Sequence, residues 1–277
     1  MVHIMVINEF PQVVTIAGND SDGSAGGPAD LHTFFTRNTY GMMILTAAVA
    51  GNSHGITAAH QMPTEFIDAQ FKAIADDFAI RAAKTGMLGT VEVIENVVAN
   101  LKVVDFGYLV VDPVISTKHG NTLLEPDAVT TMKDKLLPLA DVITPNFYEA
   151  QILADMTIGS SADQIEAAHR LQGLGVKNVV IKGPHDNFGA EALVRDFVLL
   201  EDGESFWLEA PYIATDRING TGDTFAAVIV SELALGKTVK QAIETAKFAT
   251  HRAIAKEIAV GHQYGPINHW QLLTDME

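Results

Sequence analysis

Short runs of consecutive apolar residues, each closed by glycine, proline or a charged side chain, recur along the chain between segments of helical period. Residues 12–18, 42–50, 79–84, 108–114, 141–144 and 179–183 are runs of this kind. A strand buried on both faces is apolar throughout, whereas a half-exposed strand alternates, so these runs predict a mainly parallel central sheet. Between them the period changes to about 3.6 residues over 29–36, 64–77, 91–101, 123–137, a helix opened by Pro145-Asn146-Phe147-Tyr148-Glu149, and 162–174. In 64–77, Phe66, Ala69, Gln70, Ala73 and Ile74 fall on one helical face. Strand and helix alternate throughout, which predicts a three-layer α/β sandwich with helices on both sheet faces, built as one domain over 1–277. The segment Gly51-Asn52-Ser53-His54-Gly55 closes the second run as a turn. Residues 192–199 and 205–209 do alternate, around Glu201-Asp202-Gly203-Glu204, and predict a small edge hairpin. Two further helices follow at 223–235 and 239–257, the second with Ala242, Ala246, Ala249 and Ala253 allowing close packing, and Gly261 to Pro266 breaks the pattern before a short final helix.

Composition narrows the function. The chain has 277 residues, 48% of them hydrophobic, enough to bury a substantial core. With 34 acidic against 18 basic residues and a net charge of −16, a general surface for nucleic acid or anionic membrane is excluded, and a small anion would need a locally built site. There is no cysteine, which removes disulfides, thiolate nucleophiles and cysteine metal ligands. Residues 1–10 lack a basic segment followed by a long apolar core, and no run approaches a membrane span; a cytoplasmic protein is expected. The histidines show no His-x-x-x-His pair with a third ligand, and Met5, Met42, Met43 and Met87 read as core filling.

The strongest candidate chemistry lies in Asn219-Gly220-Thr221-Gly222-Asp223-Thr224-Phe225. Glycines at 220 and 222 allow backbone conformations in which consecutive N–H groups converge on one anion, and a helix starting at Asp223 adds unpaired donors and a partial positive charge. Asp223 then stands beside the held group as a candidate base. Alone, the motif is equally a tight turn with an aspartate N-cap. The polar, glycine-rich stretch 19–27 follows the first strand at the place where α/β sheets hold ligands; it lacks a Gly-Lys-Ser/Thr ending and is not a Walker loop. Asp112, Glu149 and Lys182 also fall just past apolar strands. In a parallel sheet these groups and Asp223 share one edge, giving the parts of phosphoryl transfer: carboxylates Asp112 and Glu149 for Mg2+, Lys182 for a phosphate, an anion cradle and a base.

Several segments carry a resemblance: Thr15 to Leu31, Tyr40-Gly41-Met42, Lys84-Thr85-Gly86-Met87-Leu88, Val111-Asp112-Pro113-Val114, Thr144 to Ala150 and Gly220-Thr221-Gly222-Asp223. In this order they resemble the hydroxymethylpyrimidine/phosphomethylpyrimidine kinases and their pyridoxal kinase relatives in the ribokinase-like superfamily. The resemblance implies a ribokinase-like fold and a Mg2+- and ATP-dependent kinase acting on the hydroxymethyl group of a heteroaromatic alcohol, usually as a homodimer. By similarity Gly220, Thr221, Gly222 and Asp223 form the anion hole and base, and Asp112 and Glu149 act around the metal. Lys182, Asn146 and Thr215 belong to the nucleotide side. Gly18, Asp30, Gly51, Met87 and Val114 fall where the family lines the ring pocket, and residues 116–121 correspond to a flap.

Two departures bear on substrate. Pyrimidine kinases resembling this chain have Gln in Ala-Gln-Asn, where Ala50-Gly51-Asn52 stands here, and glycine offers no side chain to pair with an aminopyrimidine edge. Related kinases commonly carry Cys where Asp223 stands, and another near Thr117 or Lys118, so thiol chemistry is closed to this chain. The expected activity is therefore pyridoxal kinase, with pyridoxine and pyridoxamine as further acceptors. The alternative enzyme is hydroxymethylpyrimidine kinase, and the non-catalytic alternative is a vitamin-B6 sensor or carrier, for which a base at Asp223 would be superfluous.

Overall fold

In the computed structural model, which describes residues 9–115, 123–184 and 193–273, the apolar runs become strands of one sheet. In chain order these are β1 (Gln12–Asp20), β2 (Tyr40–Asn52), β3 (Gly55–Gln61), β4 (Ile80–Thr85), β5 (Tyr108–Val111), β6 (Val142–Ile143), β7 (Asn178–Ile181), β8 (Leu193–Leu199) and β9 (Ser205–Pro211). Their order across the sheet is β3-β2-β1-β4-β5-β6-β7-β8-β9. From β2 through β7 neighbouring strands run parallel, while β3 at one margin and β8 and β9 at the other are antiparallel. Each parallel step needs a crossover, and these are helical: α1 (Gly26–Thr36), α2 (Thr64–Ala75), α3 (Val91–Leu101), α4 (Pro126–Thr131), α5 (Phe147–Ala154) and α6 (Ser161–Gly173), with α7 (Thr221–Ala234) and α8 (Val239–Ala255) completing the layers.

Side-chain alternation divides the core in two. Val14, Ala83, Val111, Ile143 and Ile181 join the cluster holding Ile67 and Phe71 of α2 and Ile94 of α3. Their neighbours Val13, Ala82, Val110, Val142 and Val180 join the other cluster, with Phe34 of α1, the apolar residues of α7 and Ala242, Ala246 and Ala253 of α8. Both parities are apolar because both faces are covered. Continuing the same alternation past the apolar residues places Thr15, Lys84, Asp112 and Lys182 on the α1/α7 side. Parity therefore delivers these polar groups to the face where α7 begins.

Three expectations need correction. The segment 51–55 is not a plain closing turn: β2 runs on through Gly51 to Asn52, and a hairpin returns as β3, which the sequence reading missed. β3 is exposed along most of its length, so it lacks the apolar pattern that marks the buried strands. In α2, Ile67 and Phe71 are buried while Phe66 is 52% exposed, a rotation of the expected apolar face, although Gln70 does point inward, exchanging two hydrogen bonds with the Leu45 backbone. The expected helix at 123–137 is α4 followed by a π turn at Met132–Leu136 and a 3-10 turn at Leu137–Leu139. The edge hairpin of β8 and β9 and the buried alanine stripe of α8 match the expectations.

Candidate active site

Where β1, β4, β5 and β7 run out and α7 starts, they surround a cavity of about 260 Å3. α7 is entered through Gly220, which is its N-cap with φ of 77° and makes no side-chain cap. A Cβ there would lie 2.2 Å from the Ser24 carbonyl oxygen, so the 19–27 loop and the 219–223 loop close on each other only because this residue is glycine. Gly222, by contrast, is already helical and needs no special conformation; its value is space, since a Cβ would come 3.4 Å from Lys182 Nζ and 3.5 Å from Asp112 Oδ2. Asp223 is in the first turn and caps nothing, which removes the aspartate cap and leaves the turn itself at Gly220. Thr224 N–H is satisfied by Gly220 O, so the N–H groups of Gly222 and Asp223 come before the helical ladder begins, at the positive end of the helix.

Opposite this cradle, Asp112 follows β5 and Lys182 follows β7, their Oδ1 and Nζ 3.6 Å apart. Glu149 completes a capping box on α5: Asn146 Oδ1 accepts from the N–H groups of Tyr148 and Glu149, and Glu149 Oε2 accepts from Asn146 N–H at 2.8 Å. Its other oxygen accepts from Ile115 N–H at 3.1 Å. Burial pushes the Glu149 carboxyl up to about 6 with the nearby Asp112 charge adding to the rise, against the downward pull of Lys182 and the two N–H donors.

The other end of the cavity is built from loops. Gly51, Asn52, Ser53, Gly55 and Ile56 of the β2–β3 hairpin line it, and Tyr264 faces them from the C-terminal segment. That segment is tied to the hairpin by Tyr264 N–H to Ser53 O at 3.0 Å, His262 N–H to Ser53 Oγ at 3.1 Å and a His54–Gln263 side-chain contact at 2.9 Å. Ser21 Oγ bonds both the N–H and the C=O of Gly51 at 2.9 Å, so this residue presents neither side chain nor free backbone to a ligand. Asp20, at the end of β1, also lines the cavity; burial and then Asp22 raise its carboxyl above the usual range.

Of the residues expected at the site, Gly18, Gly51, Met87, Val114, Asp112, Asn146, Glu149, Lys182 and residues 220–223 line this cavity. Met87 is a wall residue, as the resemblance implies, rather than core filling. Asp30 and Thr215 are not among the lining residues. Asp30 is fully buried beneath the cavity floor, bonded to Lys84 and Thr15, because α1 carries it onto the sheet face. Thr215 Oγ1 accepts from Arg217 N–H in the stretch leading to Gly220. Val114 has a positive φ of 42°, rare for a β-branched residue, at the point where β5 turns into the cavity wall. The flap at 116–121 lies outside the described residues. Among the described residues no group of three His, Asp or Glu side chains forms a metal site. A shallower groove of about 560 Å3, with Pro63, Thr90, Glu92 and Glu125 in its lining, contains none of the expected residues.

The sequence reading assigned no role to Lys84, Tyr264, Asp20 or His269. A lysine at the buried end of an apolar strand was the available signal for the first. His269 is 8% exposed, its Nε2 3.0 Å from Thr224 Oγ1, and burial, reinforced by His32, lowers it to about 4 despite Asp223, so it stays neutral.

Residues 20–268 match the family model described as phosphomethylpyrimidine kinase. The chain is 45% identical to the hydroxymethylpyrimidine/phosphomethylpyrimidine kinase of Haemophilus influenzae, covering 95% of this chain and 98% of that one. The pyridoxal kinase of Bacillus subtilis, solved as an ADP complex, superposes with a TM-score of 0.86 at 36% identity over 95% of this chain and 98% of that one. The Staphylococcus aureus pyridoxal kinase in complex with AMP-PCP and pyridoxal superposes with a TM-score of 0.85 at 31% identity, covering 95% and 94%. The sheet order and helix layers are thus those of a ribokinase-like kinase.

Proposed function

The chain belongs to the phosphomethylpyrimidine kinase family, and on that premise we propose that it transfers the γ-phosphoryl group of ATP to the hydroxymethyl group of pyridoxal. The observation that carries the acceptor is Gly51. It offers no side chain to an aminopyrimidine edge, and its backbone groups are already taken by Ser21. The likeness to pyridoxal kinase structures supports the same choice. A second reading, hydroxymethylpyrimidine or its phosphate as acceptor, is favoured by the Haemophilus influenzae relative at 45% identity.

In this reading Asp223 accepts the proton of the hydroxymethyl group as its oxygen attacks the γ-phosphorus, and the bond from that phosphorus to the departing ADP breaks. The first-turn N–H groups of α7 receive the charge of the transferred phosphoryl group, and Lys182 neutralises phosphate oxygens on the other side. Asp112 and Glu149 suit Mg2+: both are hard oxygen donors, and few protein carboxylates are needed where phosphate oxygens and water complete the shell. Asp112 would hold the ion, and Glu149, whose two oxygens each accept a backbone N–H, would help through water. When bound, the ion would offset charge on the nucleotide phosphates. Asn146 belongs to the nucleotide side through its free amide edge, and Thr215 only by shaping the approach to Gly220. One domain, a homodimer and a cytoplasmic location complete the reading; the single continuous sheet supports the first.

The test is ATP consumption with pyridoxal and hydroxymethylpyrimidine offered separately. Higher kcat/KM for pyridoxal is expected. Higher kcat/KM for hydroxymethylpyrimidine would establish the second reading instead, and no turnover of either would make the protein a binder.

A further inference from the structure

We propose that Lys84 is a positioning residue for Asp223, anchored from below by Asp30 and Thr15. The proposal rests on the reading of Asp223 as the base. Lys84 is entirely buried at the end of β4, next to Thr15 in the parallel register of β1. Its Nζ lies 2.8 Å from Asp30 Oδ1 and 3.5 Å from Asp223 Oδ1. Thr15 Oγ1 donates to Asp30 Oδ2 at 2.6 Å, so both oxygens of Asp30 are fixed. The Lys84 ammonium of β4 thus joins Asp30 of α1 to Asp223 of α7, with Thr15 of β1 bracing Asp30.

A buried ammonium needs one paired carboxylate, and Asp30, itself 0% exposed, supplies it. The second carboxylate is not required for that balance. Asp223 is also the member that reaches the cavity, with 17% of its side chain exposed. The dependence therefore runs from the rigid Lys84–Asp30 pair to Asp223. A cation at this distance holds the carboxylate against the cavity wall, and offsets the repulsion it would feel when a phosphoryl anion settles in the cradle beside it. Burial alone would lower the Lys84 pKa, but Asp30, Asp223 and Asp112 together reverse this and keep it cationic.

The experiment is a cycle of variants assayed with ATP and with whichever of pyridoxal or hydroxymethylpyrimidine the wild-type protein phosphorylates. Lys84→Met with Asp30→Asn removes the buried pair as a unit, leaving no unpaired buried charge; circular dichroism and a thermal melt establish that it folds. Relative to wild type, kcat is expected to fall about tenfold with both KM values within about twofold, while in an Asp223→Ala background the same pair changes kcat by less than about twofold. Equal losses in the two backgrounds would mean that Lys84 only supports the scaffold, and would overturn the inference while leaving Asp223 as the base. Full activity of Asp223→Ala itself would remove the base, and the inference with it. If the paired variant does not fold, Thr15→Val serves, since it loosens Asp30 and leaves every charge in place. A several-fold kcat loss that vanishes in the Asp223→Ala background supports the inference, and a loss of equal size in both backgrounds overturns it.

Discussion

At one end of the cavity Asp112, Lys182 and Asp223 stand at the ends of β5 and β7 and the start of α7, on a sheet face fixed by strand parity. At the other end Gly51, Ser53 and Ile56 belong to an exposed hairpin and meet Tyr264 from a loop, with no charged side chain among these four. The first end has little freedom: its groups are inherited from the buried sheet, and any movement would disturb both cores. The second is the exposed end of β2 and β3, tied to the C-terminal segment by hydrogen bonds, and can change shape or sequence without touching the buried strands. Under the proposed function, the reacting groups belong to the strand ends and the acceptor's ring meets the margin of the sheet.

The largest effect expected at the chemical end is that of Asp223→Ala. The first-turn N–H groups and Lys182 survive the change, so ATP affinity is expected to hold while kcat drops by about 10²-fold or more, as for loss of a general base. Steady-state kinetics with varied ATP check this, and an unchanged kcat would place the base elsewhere. Gly220→Ala comes next. Its Cβ would overlap the Ser24 carbonyl at 2.2 Å and require positive φ, so a destabilisation of about 2–3 kcal/mol in a urea melt is expected, with kcat lost because the two loops part. Gly222→Ala is expected to leave stability nearly intact and to act on kcat, since its Cβ meets only Lys182 and Asp112.

The contrast between the two glycines shows what was legible and what was not. The motif points to an anion site, but which glycine serves conformation and which serves space depends on the neighbouring loop, 195 residues away at Ser24 and Asn219, a contact that no local pattern encodes. The strand ends were legible because parallel strands are apolar on both faces and a charge at their exit stands out. The pairing of Lys84 with Asp30 was not, since nothing local to either residue shows that α1 packs over β1 and β4 and brings the two together. β3 escaped for the opposite reason: Gly-Ile-Thr-Ala-Ala-His-Gln is exposed on both sides, and nothing in its polarity marks a strand.

A fourth expectation concerns the underside of α7. His269 has a folded pKa near 4 against about 6.5 in the unfolded chain, so folding favours its neutral form. Its contribution is full above pH 6.5 and is lost as pH falls toward 4, amounting to about 2 kcal/mol between pH 7 and pH 5. Asp30, pushed up by burial against the pull of Lys84, and Glu149, raised to about 6, act with the opposite sign, because a folded state that binds protons more readily gains as pH falls. The measurable quantity is therefore the difference between wild type and His269→Gln. Denaturation at pH 7 and pH 5 is expected to show wild type losing more stability than the variant, and equal losses would mean that His269 is not held neutral.

The smallest effect, and the one that bears most directly on the margin of the sheet, is expected from Gly51→Gln. A Cβ at this position comes 3.1 Å from Gly55 O and 3.4 Å from Ile56 Cα, so the hairpin must give by a few tenths of an ångström before the new side chain can enter the cavity. Ser21 keeps its hold on the backbone, and the amide is then directed at the ring site. If pyridoxal is the acceptor, its kcat/KM falls about tenfold by crowding, while that of hydroxymethylpyrimidine rises or holds as the amide gains an edge to pair with. kcat with saturating substrate should move much less, because nothing near Asp223 has changed. A shift in the ratio of the two kcat/KM values with kcat preserved would show the two ends of the cavity to be separable. A parallel fall for both alcohols, or a collapse of kcat, would show instead that the hairpin and the strand ends move as one.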